Sequence, residues 1–189
     1  MHEVIIQPST QDTYADENDK TTVKGALTFY GLRNSTDKNQ LAYVKFDLST
    51  LVGKTIISAV FWGKILSENT PGPPHPTSVD IKRCTEAWDE ATLDWAPQPG
   101  VSGVVMSTAG WREGLGWKDW TFDLDEFALM IGTNHGFRIK CEPVDQGGND
   151  WQTYASSENG TAADRPKLVV NYEGNGGKSH SRRQFMGLI

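Results

Sequence analysis

The chain has 189 residues, 37% of them hydrophobic, with seven Trp, nineteen Gly and nine Pro, enough for one well-buried, turn-rich domain that leans toward β structure. Its net charge of −6 is unevenly spread, since residues 1–173 hold 15 basic against 24 acidic side chains. An acidic body disfavours nucleic acid, whose phosphates supply most non-specific affinity, and it disfavours anionic membrane surfaces as well.

No basic and apolar leader follows Met1, and no apolar run approaches the length of a membrane span, so a soluble product without a cleaved signal is expected. Val4, Ile5 and Ile6 read as a first strand, QDTYADEN as a polar segment, and residues 17–25 as a loop or short edge strand. Gly25 to Gly31 reads as a strand with Leu27 and Phe29 inward. In LAYVKFDLSTL, Val44, Phe46 and Leu48 alternate with Tyr43, Lys45 and Asp47, the pattern of a half-buried strand. ISAVFWGKIL alternates likewise, with Ile57, Ala59, Phe61 and Ile65 on its apolar side, and the Pro-rich run before Ser78 is a loop. Val79, Ile81 and Arg83 share one face of the next strand.

The stretch from Cys84 to Pro99, CTEAWDEATLDWAPQP, organises what surrounds it. Trp88 and Trp95 bring large apolar rings, while Glu86, Asp89, Glu90, Thr92 and Asp94 bring short-range acceptors for backbone N–H groups. Pro97 and Pro99 bar a regular helix or a central strand. This is the composition of an ordered crossover laid over a hydrophobic core. Beyond it, Val101 to Met106 reads as a strand and Gly110 to Trp120 as a Gly–Trp loop. One short helix is expected, with Asp123 as N-cap, Glu126 three positions on, apolar Leu124, Phe127, Ala128 and Ile131, and Gly132 as the stop. HGFRIKCEP and RPKLVVNYE are further strands, separated by a polar loop and DWQTYASSENG. Two cysteines in strand-like runs, Cys84 and Cys141, read as buried thiols. Many short strands with one helix predict an all-β, antiparallel two-sheet jelly-roll sandwich over residues 1–173.

Residues 174–189 stand apart. Lys178, Arg182 and Arg183 are followed by apolar Phe185, Met186, Leu188 and Ile189, with no acidic residue. Such a tail either packs on its own domain or docks on a partner through its apolar tip.

The Asp12-Thr13-Tyr14 run, the YVKFDLSTL and ISAVFWGKI strands, and the loop pattern of Trp88, Glu90, Thr92, Trp95 and Pro99 occur in order. They continue into a Tyr154, Ser156, Glu158 segment and a closing strand from Arg165 to Tyr172. Together these runs resemble the DNRLRE-domain family, jelly-roll modules that overlap with a family of carbohydrate-binding modules. The resemblance implies the sandwich fold, and it implies a place on extracellular or surface proteins or beside polysaccharide-acting enzymes. The tail from Gly174 has no counterpart in it.

Trp111, Trp117 and Trp120 are the sugar-stacking candidates, because a rigid aromatic face packs on the C–H face of a pyranose, and Arg112, Lys118 or Asp119 can hold its hydroxyls. The alternative is that these indoles fill core. The carboxylates of the 84–99 loop read as loop-fixing acceptors rather than as a glycosidase pair, so no catalytic residue is expected. The scattered His2, His75, His135 and His180 lack metal-ligand spacing. No cofactor is expected. Ca²⁺ is the one ion the oxygen-rich strand ends (Asp12, Asp16 and Glu17, or Asp145 and Asp150) can be imagined to attract. The leading expectation is a non-catalytic virion component of a bacteriophage, with its body outward toward host glycans. Its tail (Arg182, Arg183, Phe185, Met186, Leu188, Ile189) would dock on another virion protein in an oligomeric assembly. The alternatives are an extracellular or cell-surface carbohydrate-binding module of a polysaccharide-active enzyme, or a small enzyme of that kind.

Overall fold

Apolar–polar alternation and dense turn chemistry produce eleven strands among the residues described by the computed structural model, which are 1–69, 76–111, 113–142 and 150–174. In chain order they are β1 (His2–Ile6), β2 (Gln11–Asp16), β3 (Phe29–Asn34), β4 (Gln40–Lys45), β5 (Thr55–Asn69) and β6 (Ser78–Arg83). β7 (Ser107–Gly110), β8 (Gly116–Thr121), β9 (Phe137–Glu142), β10 (Asp150–Ala155) and β11 (Lys167–Glu173) complete the set, with the helix α1 (Leu124–Gly132) between β8 and β9. All strand pairs are antiparallel.

The 15-residue β5 is the spine of one layer. β11 and then β10 run along one edge of it, and β8 runs along the other, because Val60 to Trp62 pair with both β11 and β8 and Ile65 with both β10 and β8. β1 extends this layer beyond β11, and β3 extends it beyond β10. The second layer runs β2-β4-β9-β6-β7. A single bridge, Arg33↔Gln40, joins β3 to β4 and so joins the layers. The fold is an all-β sandwich. Its interior is aromatic: Phe61 of β5 meets Phe137 of β9 edge-on at 5.1 Å, and Phe122 meets Phe137 at 5.3 Å. Edge-to-face pairs of this kind add attraction beyond the area they bury.

Several sequence expectations are corrected. QDTYADEN is not a loose polar segment, because six of its residues form β2, and Asp12, Thr13, Tyr14 and Ala15 are all buried. β4 is buried on both faces, not one, since Leu41 and Tyr43 face a second small core while Ala42 and Val44 face the main one. Continuous burial removes the alternation from which strands are read. Residues 101–106 contribute one isolated bridge, Val101↔Cys84, and pairing resumes in β7. The expected Gly–Trp loop contains β8, and DWQTYA is β10. The helix forms as read: Asp123 accepts from the Glu126 N–H at 3.0 Å, although Gly132 is its last residue and Thr133 caps it. Cys84 and Cys141 are free and buried. The tail residues from 175 on lie outside the described residues.

Candidate functional site

The 84–99 loop is fixed in the way its composition implies. Each carboxylate accepts from a backbone N–H: Glu86 from Gly100 at 2.9 Å, Asp89 from Ala91 at 2.8 Å, Glu90 from Asp12 at 3.0 Å and Asp94 from Ala96 at 2.9 Å. These acceptors hold the loop in one shape. Trp88 goes down into the second core, where it tilts against Tyr43 at 5.8 Å and donates its indole N–H to the His135 carbonyl at 2.6 Å. Gly136, next in sequence, has φ 73°, and a Cβ there would meet the Val44 carbonyl oxygen at 2.4 Å. The loop is thereby clamped onto the outer face of β4 and β9.

Three motifs of the resemblance, the Asp12 run, this loop and the segment around Ser157, meet here. Asp12 of β2, 1% exposed, accepts from the Ser157 N–H at 2.8 Å and from the Ser9 hydroxyl, and its own N–H reaches Glu90. Burial pushes the Asp12 carboxyl up to about 7; its hydrogen bonds from Ser9 and Ser157 pull back, and the nearby Glu158 charge adds to the rise. Glu90 is raised too, first by burial. Asp16 accepts from the Asn18 N–H and from Gln40, and Glu17 accepts from Asn39, so these Ca²⁺ candidates serve local bonds. Among the described residues no three acidic, His or Cys side chains are grouped to hold a metal ion, and Asp145 lies outside them.

The sequence-selected tryptophans do not share a surface. Trp120 faces the interior at 2% exposure and stacks on Phe61 at 5.5 Å, so it is corrected from sugar platform to core. The cause is register, because Trp120 lies opposite Phe61 on β5 and follows it inward. Trp111 is half-buried against the main core. Trp117 alone of the three lies on the outer face of the first layer, beside Trp62, and the Lys167 ammonium sits over both rings, 4.5 Å from the Trp117 centroid and 5.6 Å from that of Trp62. Lys118, on the opposite register, donates to the Glu113 carbonyl at 2.9 Å. Arg112 and the docking residues Arg182, Arg183, Phe185, Met186, Leu188 and Ile189 lie outside the described residues.

A different set of side chains does come together. Asn39, Leu41, Trp95, Gln98, Arg138 and Lys140 line a groove of about 240 Å³ between the loop and the outer face of β4 and β9. A second hollow of about 350 Å³ continues along the loop from Gln98 past Pro97, Thr92 and Asp89. Arg138 and Lys140 reach the groove because Phe137, Ile139 and Cys141 take the inner face of β9. Lys140 is paired with Glu142 at 2.7 Å, whereas Arg138 makes no ion pair among the described residues. Sequence reasoning passes over these residues by treating the loop as purely structural. The alternation of HGFRIKC already puts both cations on one face.

The groove brings together an aromatic side chain, the Gln98 amide and a guanidinium, a combination that can hold a polar ligand with flat apolar faces. The chain belongs to carbohydrate-binding module family 96, whose model matches residues 5–172. The narrower DNRLRE name is not what the match carries. A comparison with curated proteins gives no match to this chain.

Proposed function

We propose that the chain is a non-catalytic module that binds a polysaccharide, one residue of which seats in the groove beside Trp95. The observation that carries this placement is Arg138, a cation without an ion pair among the described residues, in the wall of a groove that Trp95 also lines. A pyranose face stacks on the indole, Gln98 offers an amide, and the planar guanidinium offers a fork for hydroxyl or carboxylate oxygens. The loop carboxylates, already bonded to backbone N–H groups, support binding without turnover.

Affinity electrophoresis through gels that contain neutral or acidic polysaccharides tests this reading. Trp95→Ala and Arg138→Ala are each expected to weaken retention about tenfold or more, the cost of a central contact. Glu90→Gln is expected to leave the polysaccharide chain length unchanged, as in wild type. Retention equal to wild type in both groove variants would remove the groove from the account.

A second reading places the sugar on Trp62 and Trp117, favoured by their common outer face and the Lys64–Asp164 pair at 2.6 Å beside them. In that case Trp117→Ala, not Trp95→Ala, abolishes retention. A role in a virion, with the body outward and the tail docked on another subunit, is a narrower proposal whose support is the basic and apolar sequence of residues 174–189, beyond the family match. Removing those residues and measuring incorporation into particles tests it.

A further inference from the structure

Away from the sugar groove, a hollow of about 520 Å³ lies between α1 and the turn that leads into β5. One wall is Leu124, Ala128 and Ile131, spaced four and three residues apart on a single helix face, and the other is Leu51, Val52 and Ile56. This apolar strip is open to solvent: Val52 is 64% exposed and Leu124 38%. The helix already buries Phe127 and Met130 in the main core and packs Ile131 against it, and Leu124 and Ala128 extend this stripe as an exposed apolar strip.

The chain leaves its last strand beside this hollow. Glu173 pairs with Thr55 and Tyr172 with Ile56, and the Lys54 ammonium lies 5.7 Å from the Tyr172 ring centroid. On the other side His2 stacks on Tyr172 at 5.5 Å, and Gly174 passes so close that an added Cβ would sit 3.4 Å from the His2 ring. The exit is therefore held between β1 and the start of β5, whose Ile56 lines the hollow. Past Gly174 the sequence continues as a Gly-rich run, then Lys178, Arg182 and Arg183, then Phe185, Met186, Leu188 and Ile189.

We propose that this α1 groove is the seat of the chain's own apolar tip, Phe185 to Ile189. Reach is ample, since the eleven residues after Gly174 can span up to about 36 Å, while the nine-residue α1 is about 14 Å long. The tail brings three basic side chains and no acidic one; Asp125 lines the hollow with Asp123 beside it at the helix start, while Lys54 is the basic side chain of the other wall. Tethering decides between the chain's own tip and that of a second copy. A short covalent tether gives an effective concentration in the millimolar range, which a second copy at micromolar concentration does not match. The groove lies on a different element from the sugar groove, so this inference does not rest on the sugar-binding reading, and it stands against the docking of the tail on another virion subunit.

The test uses the full chain with Phe185 replaced by p-benzoylphenylalanine, irradiated as an equal mixture of isotopically labelled and unlabelled copies. The expected product is a crosslink to residues 51–56 or 124–132 within one chain, and Ala128→Arg, a change at an exposed position, should lower its yield about tenfold. Crosslinks between differently labelled copies would hand the groove to a second copy and overturn the proposal. Crosslinks to another surface, or none above background, would overturn it as well.

Discussion

At the scale of single residues, Asp12 shows how a motif can be legible while its role is not. Its place in an Asp-Thr-Tyr run is readable, but a polar-looking octapeptide gives no sign that the carboxyl will be 1% exposed, with Ser9 and Ser157 donating to it. That requires two chain segments 145 residues apart to meet. The consequence is a pH dependence of definite sign. The folded carboxyl titrates near 7 against an ordinary 3.8, so between those values the native state holds a proton that the unfolded chain has released. Stability therefore falls as pH rises from about 4 to about 7, by on the order of 2–4 kcal/mol, and levels off above. Asp12→Asn copies the protonated carboxyl, keeping one oxygen to accept from Ser9 and Ser157. Urea unfolding across that range should show a flatter profile for the variant, and a variant more stable than wild type at pH 8. An unchanged slope would mean that Asp12 is not the group responsible.

At the scale of elements, the 84–99 loop is the part of the sequence that states its own structure most fully. Short carboxylates next to backbone donors, two indoles and two prolines leave few alternatives to an ordered crossover, and the bonds from Glu86, Asp89, Glu90 and Asp94 are of the kind expected. Trp88 is the pin. Trp88→Ala removes a ring that is 9% exposed and leaves the His135 carbonyl without its donor. The expected loss is about 3–5 kcal/mol in denaturant unfolding. Trp88→Phe, which keeps most of the ring and loses the bond, should cost nearer 1 kcal/mol. Equal losses would show that the hydrogen bond, rather than the packing, holds the loop. Strands are less legible wherever burial is continuous or residues are small. β2 and β4 are covered on both faces and so lack a clean period of two, and β7 is the four small residues Ser107–Gly110. β8 hides behind its glycines, although Gly116 with φ 104° marks the turn that starts it. The strongly periodic β5 and β9 and the capped helix α1 are readable because one face of each meets the core and the other meets solvent or a polar layer.

At the scale of the whole molecule, the sandwich is legible from strand count and spacing, but the site is not. Choosing tryptophans by their density in the sequence selects residues 111 to 120, and strand register then sends Trp120 into the core, Trp117 outward under Lys167, and Trp111 against the interior. The side chains that do converge come from distant segments: Asn39 and Leu41 by β4, Trp95 and Gln98 in the loop, and Arg138 and Lys140 on β9. Convergence of this kind depends on which strands become neighbours, and here that is the pairing of β4 with β9 through Tyr43↔Arg138. The two layers thus divide their work. One supplies the long β5 spine and the exit of the tail, and the other supplies the floor of the groove beneath a rigid loop.

The claim that this groove is where a glycan binds is tested most directly by following the seven indole N–H resonances while an oligosaccharide retained by the protein is titrated in. The account predicts that the Trp95 signal moves most, together with the Arg138 Nε–H, while Trp62, Trp117 and the buried Trp120 stay near their starting positions. Shifts centred on Trp62 and Trp117, with Trp95 unmoved, would contradict it.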